Sequence, residues 1–348
     1  MADNSARRIV VTGAGGFIGH HLVIRLKSAG HWVRGVDLEL PEYESSMADE
    51  FLIADLREFE NCVRAVNDVD DVYSLAADMG GIGYITANHA LLTRNNTLIN
   101  SHMLEAARQA GVDRYLYTSS ACVYPSFLQN ETDVTPLKEE RAVPADPEKG
   151  YGWEKLFAEQ LATYYHEEFD LDIRIVRFHN IYGSLGTYDG GREKAPAAIC
   201  RKVAVAENGE SLDIWGDGEQ TRSFCHIDDC VEGLIRIMDS GYVMPLNLGT
   251  DELVTVNQLV DIICKASGKE LKKMHDLTKP QGVRGRNSDN SLLRDVIGWE
   301  PQILLAEGLP QTYQWIWNEL DKLGKAQPPV PLIDSRVKLG GKIGPFGI

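Results

Sequence analysis

The sequence predicts an α/β fold, in which a doubly wound parallel sheet is followed by a smaller mixed α/β C-terminal domain. Two observations predict it. Short apolar runs typical of buried strands alternate with segments that carry apolar residues at helical spacing, and a glycine turn joins the first strand to the first helix. The chain has 348 residues, of which 43% are hydrophobic, which is enough for two domains with a sizeable core.

The alternation of strands and helices stops near residue 180, which suggests a domain boundary there. We expect 1–180 to form a cofactor-binding domain, to which 225–250 return. The second, substrate-binding domain is expected to comprise 181–224 and 251–325. A tail rich in Pro and Gly, 326–348, is expected to be either disordered or laid over the body of the protein.

Composition excludes several classes of protein. The net charge of −16 argues against nucleic acid or an anionic membrane as a partner. The six cysteines are irregularly spaced, so neither a disulfide framework nor a zinc site is expected. The sequence shows no signal peptide and no apolar run long enough to span a membrane. We therefore expect a soluble cytoplasmic protein that holds no metal.

The glycine turn has the features of a phosphate-binding corner. Gly13 would permit the tight turn, Gly16 would let the backbone approach a pyrophosphate, and Gly19 would let the helix pack on the strand. The amides of Phe17 and Ile18, at the helix start, would meet the phosphate charge. The spacing G-x-x-G-x-x-G departs from the commoner G-x-G-x-x-G, and a tight turn without a ligand is the alternative. The motif favours a Rossmann-type dinucleotide fold.

Acidic and small residues follow at the ends of the next predicted strands. Asp37 ends the second strand 18 residues after Gly19, close to the position of a carboxylate that binds the adenosine ribose. A carboxylate there would repel a 2′-phosphate, which favours NAD over NADP. Asp55 and Leu56 end the third strand and are expected near the adenine. Ala76, at the end of the fourth strand, is expected to lie under the cofactor.

The remaining elements follow from the same patterns. Helices are predicted at 59–66, 85–110, 151–169, 192–206 and 226–238, and strands at 114–118, 172–178 and 246–249. The last strand is expected to join the first sheet, 212–218 to form a hairpin or turn, and the remainder to be mostly helical. A flexible loop around Gly80 could admit a sugar. We expect His226 to cap the helix that follows it.

Tyr151 and Lys155 form the second informative motif, because residues at i and i+4 lie on one face of a helix. The ammonium of Lys155 is expected to lower the phenol pKa toward neutrality. The tyrosinate could then take a proton from a sugar hydroxyl while hydride leaves for a nicotinamide. Ser120, at the end of the fifth strand, would hydrogen-bond the reacting hydroxyl. A surface pair without function is the alternative.

These motifs resemble the extended short-chain dehydrogenase/reductase family over nearly the whole chain. The resemblance rests on Gly13, Gly16, Gly19, Asp37, Ser120, Tyr151 and Lys155. It implies an enzyme that modifies a nucleotide sugar with tightly held NAD and first oxidises the C4 hydroxyl. It also implies a homodimer formed through the two long helices of the first domain.

The residues after Ser120 bear on the next step of the chemistry. In the 4,6-dehydratases of the family an Asp-Glu pair follows this strand, whereas here the pair is Ala121-Cys122, which disfavours dehydration. A C4 ketone acidifies the hydrogens at C3 and C5, and inversion needs a base on one face and an acid on the other. Cys122 and Lys194, with reference pKa values of ~8.5 and ~10.4, suit these roles. A small buried thiol and a solvated lysine are the alternatives.

Four longer stretches are similar to a subgroup of the family that epimerises GDP-mannose. They are Ser119–Pro125, Phe178–Lys202, Trp215–Phe224 and Gly282–Asn290. The likeness implies oxidation at C4, inversion at C5 and C3, and reduction to GDP-L-galactose, or GDP-L-gulose if only C5 inverts. It implies Cys122 as base, Lys194 as acid and Tyr151 as the redox residue. A contact from Ser335 is doubtful because the tail differs.

The predicted substrate contacts surround these catalytic residues. Lys202, Arg222, Arg284 and Arg286 suit a diphosphate, although an ordinary surface salt bridge is the alternative for each. The other predicted contacts are Gly80, Ser120, Ala121, Cys122, Asn180, Glu193, Lys194, Ala195, Gln220 and Thr221. Two rival functions stay open: a nucleotide-sugar 4-epimerase or decarboxylase, and a non-catalytic NAD-binding regulator.

Overall fold

The structure is a computed structural model, and it describes residues 6–279 and 281–330. The strands in these ranges are β1 Arg8–Thr12, β2 Trp32–Asp37, β3 Glu50–Ile53, β4 Asp71–Ser74, β5 Arg114–Ser120, β6 Ile173–Phe178, β7 Ile181–Tyr182, β8 Ser211–Trp215, β9 Thr221–Ser223, β10 Cys225–His226, β11 Pro245–Leu248, β12 Leu253–Thr255, β13 Lys272–Asp276 and β14 Gly285–Arg286. The α-helices are α1 Phe17–Ser28, α2 Phe59–Val66, α3 Ile82–Ala87, α4 His89–Ala110, α5 Tyr151–Phe169, α6 Ala195–Val205, α7 Ile227–Asp239, α8 Val256–Ser267, α9 Ser291–Ile297 and α10 Leu305–Lys322.

A seven-stranded sheet forms the larger part of the molecule. Its strand order is β11-β6-β5-β4-β1-β2-β3, and every pairing is parallel. Helices α2, α4 and α5 bury one face of the sheet, while α1, α7 and α9 bury the other. This doubly wound arrangement is the predicted fold class. The order reverses at β1, where an open sheet of this type leaves a crevice for a ligand at the carboxyl ends of its strands.

The sequence correctly predicts β11 as a last strand of this sheet. Leu246 pairs with Val176 of β6, although the two residues are 70 positions apart in the chain. The capping of α7 is also as predicted, because the His226 ring accepts a hydrogen bond from the amide of Asp228 at 3.3 Å. These two features fix the chain as it returns from the second half of the molecule to the first sheet.

The second half packs around its own core, formed by α6, α8 and α10 with β8 and β12. One prediction is wrong here. The stretch 212–218 is predicted as a hairpin or turn, but β8 is a strand that pairs in parallel with β13. The partner strand is distant in sequence, so the local pattern contains no information about the pairing. The remainder of the chain is mainly helical as predicted, in α8, α9 and α10, and it also contributes β12 and β14, which flank β9 in a three-stranded sheet.

Two predicted helices differ from the structure at their starts. The helix expected at 85–110 is divided at Asn88 into α3 and α4, because the backbone of Asn88 leaves the helical region with ψ of 32°. The helix expected from Arg192 begins only at Ala195, after Lys194 in an extended conformation. The two differences lie close in sequence to Gly80 and Lys194, two of the predicted substrate contacts.

The two halves of the molecule meet through aromatic contacts. Tyr43, in the loop after β2, stacks on Tyr188 with ring centroids 5.8 Å apart, and its ring meets Trp315 of α10 at 4.9 Å. The first residues of the predicted tail lie over the second half, where the amide of Gln327 donates to Ala204 O at 2.9 Å. The rest of the tail, including Ser335, lies outside the described residues. Among the described helices, none combines the length and the hydropathy needed to cross a bilayer.

Candidate active site

The glycine loop has the conformation that phosphate binding needs. Gly13 adopts φ of +73°, which favours glycine, and a Cβ on Gly19 would collide with the carbonyl oxygen of Gly13. Gly16 precedes α1 and has no side chain to cap it, so the amides of the first helical turn, including those of Phe17 and Ile18, can meet an anion. The roles predicted for Gly13 and Gly19 are therefore visible in the backbone.

The side chains predicted to hold the adenosine lie around this loop. Asp37 accepts hydrogen bonds from the amides of Gly15 at 2.9 Å and Leu38 at 2.6 Å, and burial raises the pKa of its carboxyl group. Ala76 lies against the turn, since a Cβ on Gly13 would be 3.0 Å from the Ala76 nitrogen. The carboxylate at the end of β2 and the small residue after β4 fit the two ends of a dinucleotide.

Asp55 and Leu56 follow β3 on the same side. Arg57 binds Asp55 through its Nε and Nη2 atoms, the latter at 2.6 Å, and this hydrogen bonding lowers the pKa of the Asp55 carboxyl group. Leu56 is buried, and its carbonyl oxygen accepts from the Cys62 thiol at 3.1 Å. Sequence analysis does not identify Arg57, because no motif marks an arginine two positions after an acidic residue.

The structure brings Tyr151, Lys155 and Ser120 together where β5 ends and α5 begins. The ammonium nitrogen of Lys155 donates to Thr118 O at 3.0 Å and lies 5.7 Å from the centroid of the Tyr151 ring. Ser120 Oγ accepts from the amide of Cys122 at 3.2 Å. The three predicted redox residues therefore share one buried site.

The expected lowering of the Tyr151 pKa is not observed. Burial raises the pKa of the phenol well above its ordinary value, and hydrogen bonding to Ser120 opposes this only in part. The same burial lowers the pKa of Lys155, which is 2% exposed. Desolvation is therefore the largest effect on the pKa of both groups in this arrangement.

Cys122 lies next to this group, and Arg286 contacts it. The thiol is 8% exposed, and Arg286 Nη1 is 3.4 Å from its sulfur atom. Burial raises the pKa of Cys122, the guanidinium of Arg286 lowers it, and Glu148 raises it. Arg286 is itself oriented by Gln129, which accepts from its Nε at 2.6 Å. The residue predicted as a diphosphate contact thus lies against the predicted base.

Glu148 and Gln129 were missed in the sequence. The amide of Glu148 donates to Cys122 O at 3.0 Å, which holds the loop before α5 against the end of β5. Gln129 donates to the carbonyl oxygens of Tyr124 and Pro125, both at 3.1 Å. Both residues lie in the irregular segment between β5 and α5, where no periodicity indicates which side chains turn inward.

Lys194 lies immediately before α6. Although the residue is exposed to solvent, neighbouring protein atoms desolvate its ammonium group and lower its pKa, while the Cys122 thiolate raises it. Glu193 accepts from the amide of Gly191 at 2.7 Å, and Ala195 begins the helix. The structure therefore places Lys194 within electrostatic reach of Cys122, as a two-sided acid–base pair requires.

The four basic residues predicted to bind a diphosphate do not form one cluster. Arg284 pairs with Asp217 at 2.9 Å, the surface salt bridge that was the alternative, and Lys202 donates to Asp213 O at 2.7 Å. Arg222 donates to backbone carbonyls, and burial together with Arg286 lowers its pKa to about 9. Only Arg222 and Arg286 lie near Cys122, so their assignment to a diphosphate stays a prediction.

Other predicted contacts have partners within the protein. Asn180 donates to Ser223 O at 2.9 Å, and Thr221 donates to Thr132 O at 2.5 Å. Gln220 donates to Trp215 O, but its Oε1 is buried without a hydrogen-bond partner among the described residues. That oxygen is available to a hydroxyl or amino group of a ligand. Gly80 and Ala121 are both buried beside the cleft.

The fold and the site define a class of protein, and comparison with known families agrees. Residues 9–249 match the NAD dependent epimerase/dehydratase family. The chain belongs to this family, and NAD is its cofactor. The glycine loop, Asp37 and the small residue Ala76 fit that cofactor, as described above.

The most informative similarities are to particular epimerases. GDP-mannose 3,5-epimerase 1 of Oryza sativa subsp. indica is 49% identical over 317 residues, covering 90% of this chain and 83% of the relative. GDP-mannose 3,5-epimerase of Arabidopsis thaliana is 48% identical over the same length. Among solved structures, UDP-glucose 4-epimerase of Thermotoga maritima has a TM-score of 0.81 at 25% identity, covering 90% of this chain and 99% of that one.

Proposed function

We propose that this chain epimerises GDP-mannose at C3 and C5 to give GDP-L-galactose, with GDP-L-gulose formed by inversion at C5 alone. The observation that carries the proposal is the position of Cys122, which packs in one cluster with Tyr151, lies within electrostatic reach of Lys194 and contacts Arg286. The identity to GDP-mannose 3,5-epimerases of two plants supports the choice of nucleotide sugar. We also propose the division of the chain into the two domains and tail predicted from the sequence.

The redox step takes place at Tyr151. Bound NAD would supply the acceptor for the hydride that leaves C4 of the sugar and the donor for its return. Tyr151 takes the proton of the C4 hydroxyl in the oxidation and gives it back in the reduction, with Ser120 hydrogen-bonded to the same hydroxyl. Lys155 holds the nicotinamide ribose and supplies positive charge beside the phenolate that forms.

The inversion requires Cys122 and Lys194. With a ketone at C4, the thiolate of Cys122 removes the proton from C5 or C3, and the electron pair moves onto the carbonyl oxygen as an enolate. The ammonium of Lys194 then delivers a proton to the opposite face of the carbon. Arg286 stabilises the thiolate by its positive charge. No net oxidation results, because the hydride returns to C4.

The test is product analysis without added NAD. We expect GDP-mannose to be converted to GDP-L-galactose and GDP-L-gulose, identified by NMR, while UDP-glucose is not converted. A C4 epimer as the product would support the 4-epimerase alternative and contradict the proposal. Cys122→Ala is the matched variant: it should retain bound NAD and oxidise C4 but release neither product.

We further propose that the protein is a cytoplasmic homodimer formed through α4 and α5. Trp153, Phe157 and Tyr164 of α5 are each about half exposed, and Leu91 of α4 is 45% exposed, so these helices present apolar surface. All six cysteines are free thiols, as a reducing compartment maintains them. Light scattering should give twice the chain mass, and Phe157→Glu should give the monomer. A monomeric wild type would contradict the dimer.

A further inference from the structure

Tyr84 connects the surroundings of Cys122 to the segment that leads into Lys194. On one side its ring packs against the apolar cluster that contains Cys122 and Tyr151. On the other side its hydroxyl accepts a hydrogen bond from Arg192 Nη2 at 2.9 Å, and the guanidinium lies 4.2 Å from the ring centroid. Arg192 precedes Lys194 by two residues, so the Tyr84 side chain contacts both the cluster around Cys122 and the segment before Lys194.

The hydroxyl group of Tyr84 is fixed by hydrogen bonds that lead to α4. Its hydroxyl donates to Asp78 Oδ1 at 2.9 Å. Asp78 in turn accepts from Asn95 at 2.9 Å, and its amide donates to Asn96 Oδ1 at 2.6 Å. Because Asn95 and Asn96 are buried in α4, Tyr84 is a fixed point to which a more mobile segment can attach.

The segment before Lys194 has the features of such a mobile part. Gly190 and Gly191 both adopt positive φ, and a Cβ on either would meet no atom within 4 Å. Beyond them, Gly81 donates its amide to Arg192 O at 3.0 Å, and a Cβ on Gly81 would be 2.6 Å from Glu193 O. The chain is therefore loosely packed at the two glycines and tied down at Arg192 and Glu193.

We propose that Tyr84 is a positioning residue that, through Arg192, holds Lys194 opposite Cys122 across the sugar. The inference rests on the proposed function, because it assigns Lys194 the role of the acid. Tyr84 has no part in hydride transfer at C4. Its loss should therefore slow proton transfer at C3 and C5 while leaving the oxidation of C4 nearly unchanged.

The experiment separates these two steps in the holoenzyme. Tyr84→Phe removes only the hydroxyl, and Arg192→Gln removes the charge from the other partner. With GDP-mannose in D₂O, we expect both variants to incorporate deuterium at C5 and C3 about 3- to 10-fold more slowly, the loss expected for one hydrogen bond. Formation of NADH on mixing should stay within about twofold of wild type, and the double variant should be no slower than either single variant.

Tyr242→Phe, which removes a hydroxyl from a half-buried side chain packed against the core of the first sheet, is the matched control and should change neither rate. Equal losses in NADH formation and deuterium incorporation would overturn the positioning role, and so would unchanged incorporation or additive losses in the double variant. If wild type incorporates no deuterium, the proposed function fails as well. If wild type incorporates it and Tyr84→Phe does so equally fast, only the positioning role fails.

Discussion

Arg286→Gln tests the electrostatic control of the proposed base. Arg286 Nη1 lies 3.4 Å from the Cys122 sulfur, and its charge opposes the effect of burial on the thiol pKa. Two unit charges about 4 Å apart attract by about 4 kcal/mol at an effective dielectric constant near 20, which is an upper limit. A hydrogen bond to a charged group contributes about 1.5–3 kcal/mol, which corresponds to roughly one to two pKa units.

The expected result is a shift of the acidic limb of the pH–rate profile. In Arg286→Gln, the rate of deuterium incorporation at C5 should reach its plateau about one to two pH units higher than in wild type. At neutral pH the thiolate fraction, and with it the rate, should fall about 10- to 100-fold. NADH formation on mixing with GDP-mannose should change much less, because Arg286 does not contact Tyr151.

Arg284→Gln is the matched control for this experiment. Arg284 is two residues away, but it pairs with Asp217 on the surface and not with Cys122. Its replacement should leave the acidic limb where it is in wild type. An acidic limb in Arg286→Gln that coincides with that of wild type would refute the stabilisation of the thiolate by Arg286.

Three further predictions follow from the same geometry. Tyr151→Phe should slow C4 oxidation by ~10²–10⁴-fold while NAD stays bound; a near-normal rate of NADH formation would move the redox role elsewhere. Gly19→Ala should lower the NAD content of the purified protein and its Tm, because the new Cβ meets Gly13 O; full NAD content would contradict this. The rate of deuterium incorporation by wild type should follow a bell-shaped pH profile. It should rise as Cys122 loses its proton and fall as Lys194 loses its own. Because burial raises the pKa of Cys122 and desolvation lowers that of Lys194, the pH range of high rate should be narrow.

The parts of the site that depend on local sequence were predictable. The glycine loop is one continuous turn, and Tyr151 and Lys155 are one helical turn apart, so spacing alone places them together. The doubly wound sheet was predictable for the same reason, because each strand and helix carries its own periodicity. Even β11 could be assigned to the first sheet from a short apolar run.

The parts that depend on distant contacts were not predictable. Arg286 and Cys122 are 164 residues apart, and no local pattern shows that the guanidinium contacts the thiol. The bridge from Tyr84 to Arg192 spans 108 residues. The pKa of Tyr151 was predicted in the wrong direction, because the degree of burial of a helix start depends on the loops that cover it.

Deuterium exchange into the product tests the central claim most directly. The wild-type protein is incubated with GDP-mannose in D₂O without added NAD, and the product is analysed by NMR. The account predicts GDP-L-galactose with deuterium at both C3 and C5, because Cys122 and Lys194 exchange their protons with solvent. A product that carries no deuterium on carbon would contradict it, since C4 oxidation and reduction alone exchange no carbon-bound hydrogen with water.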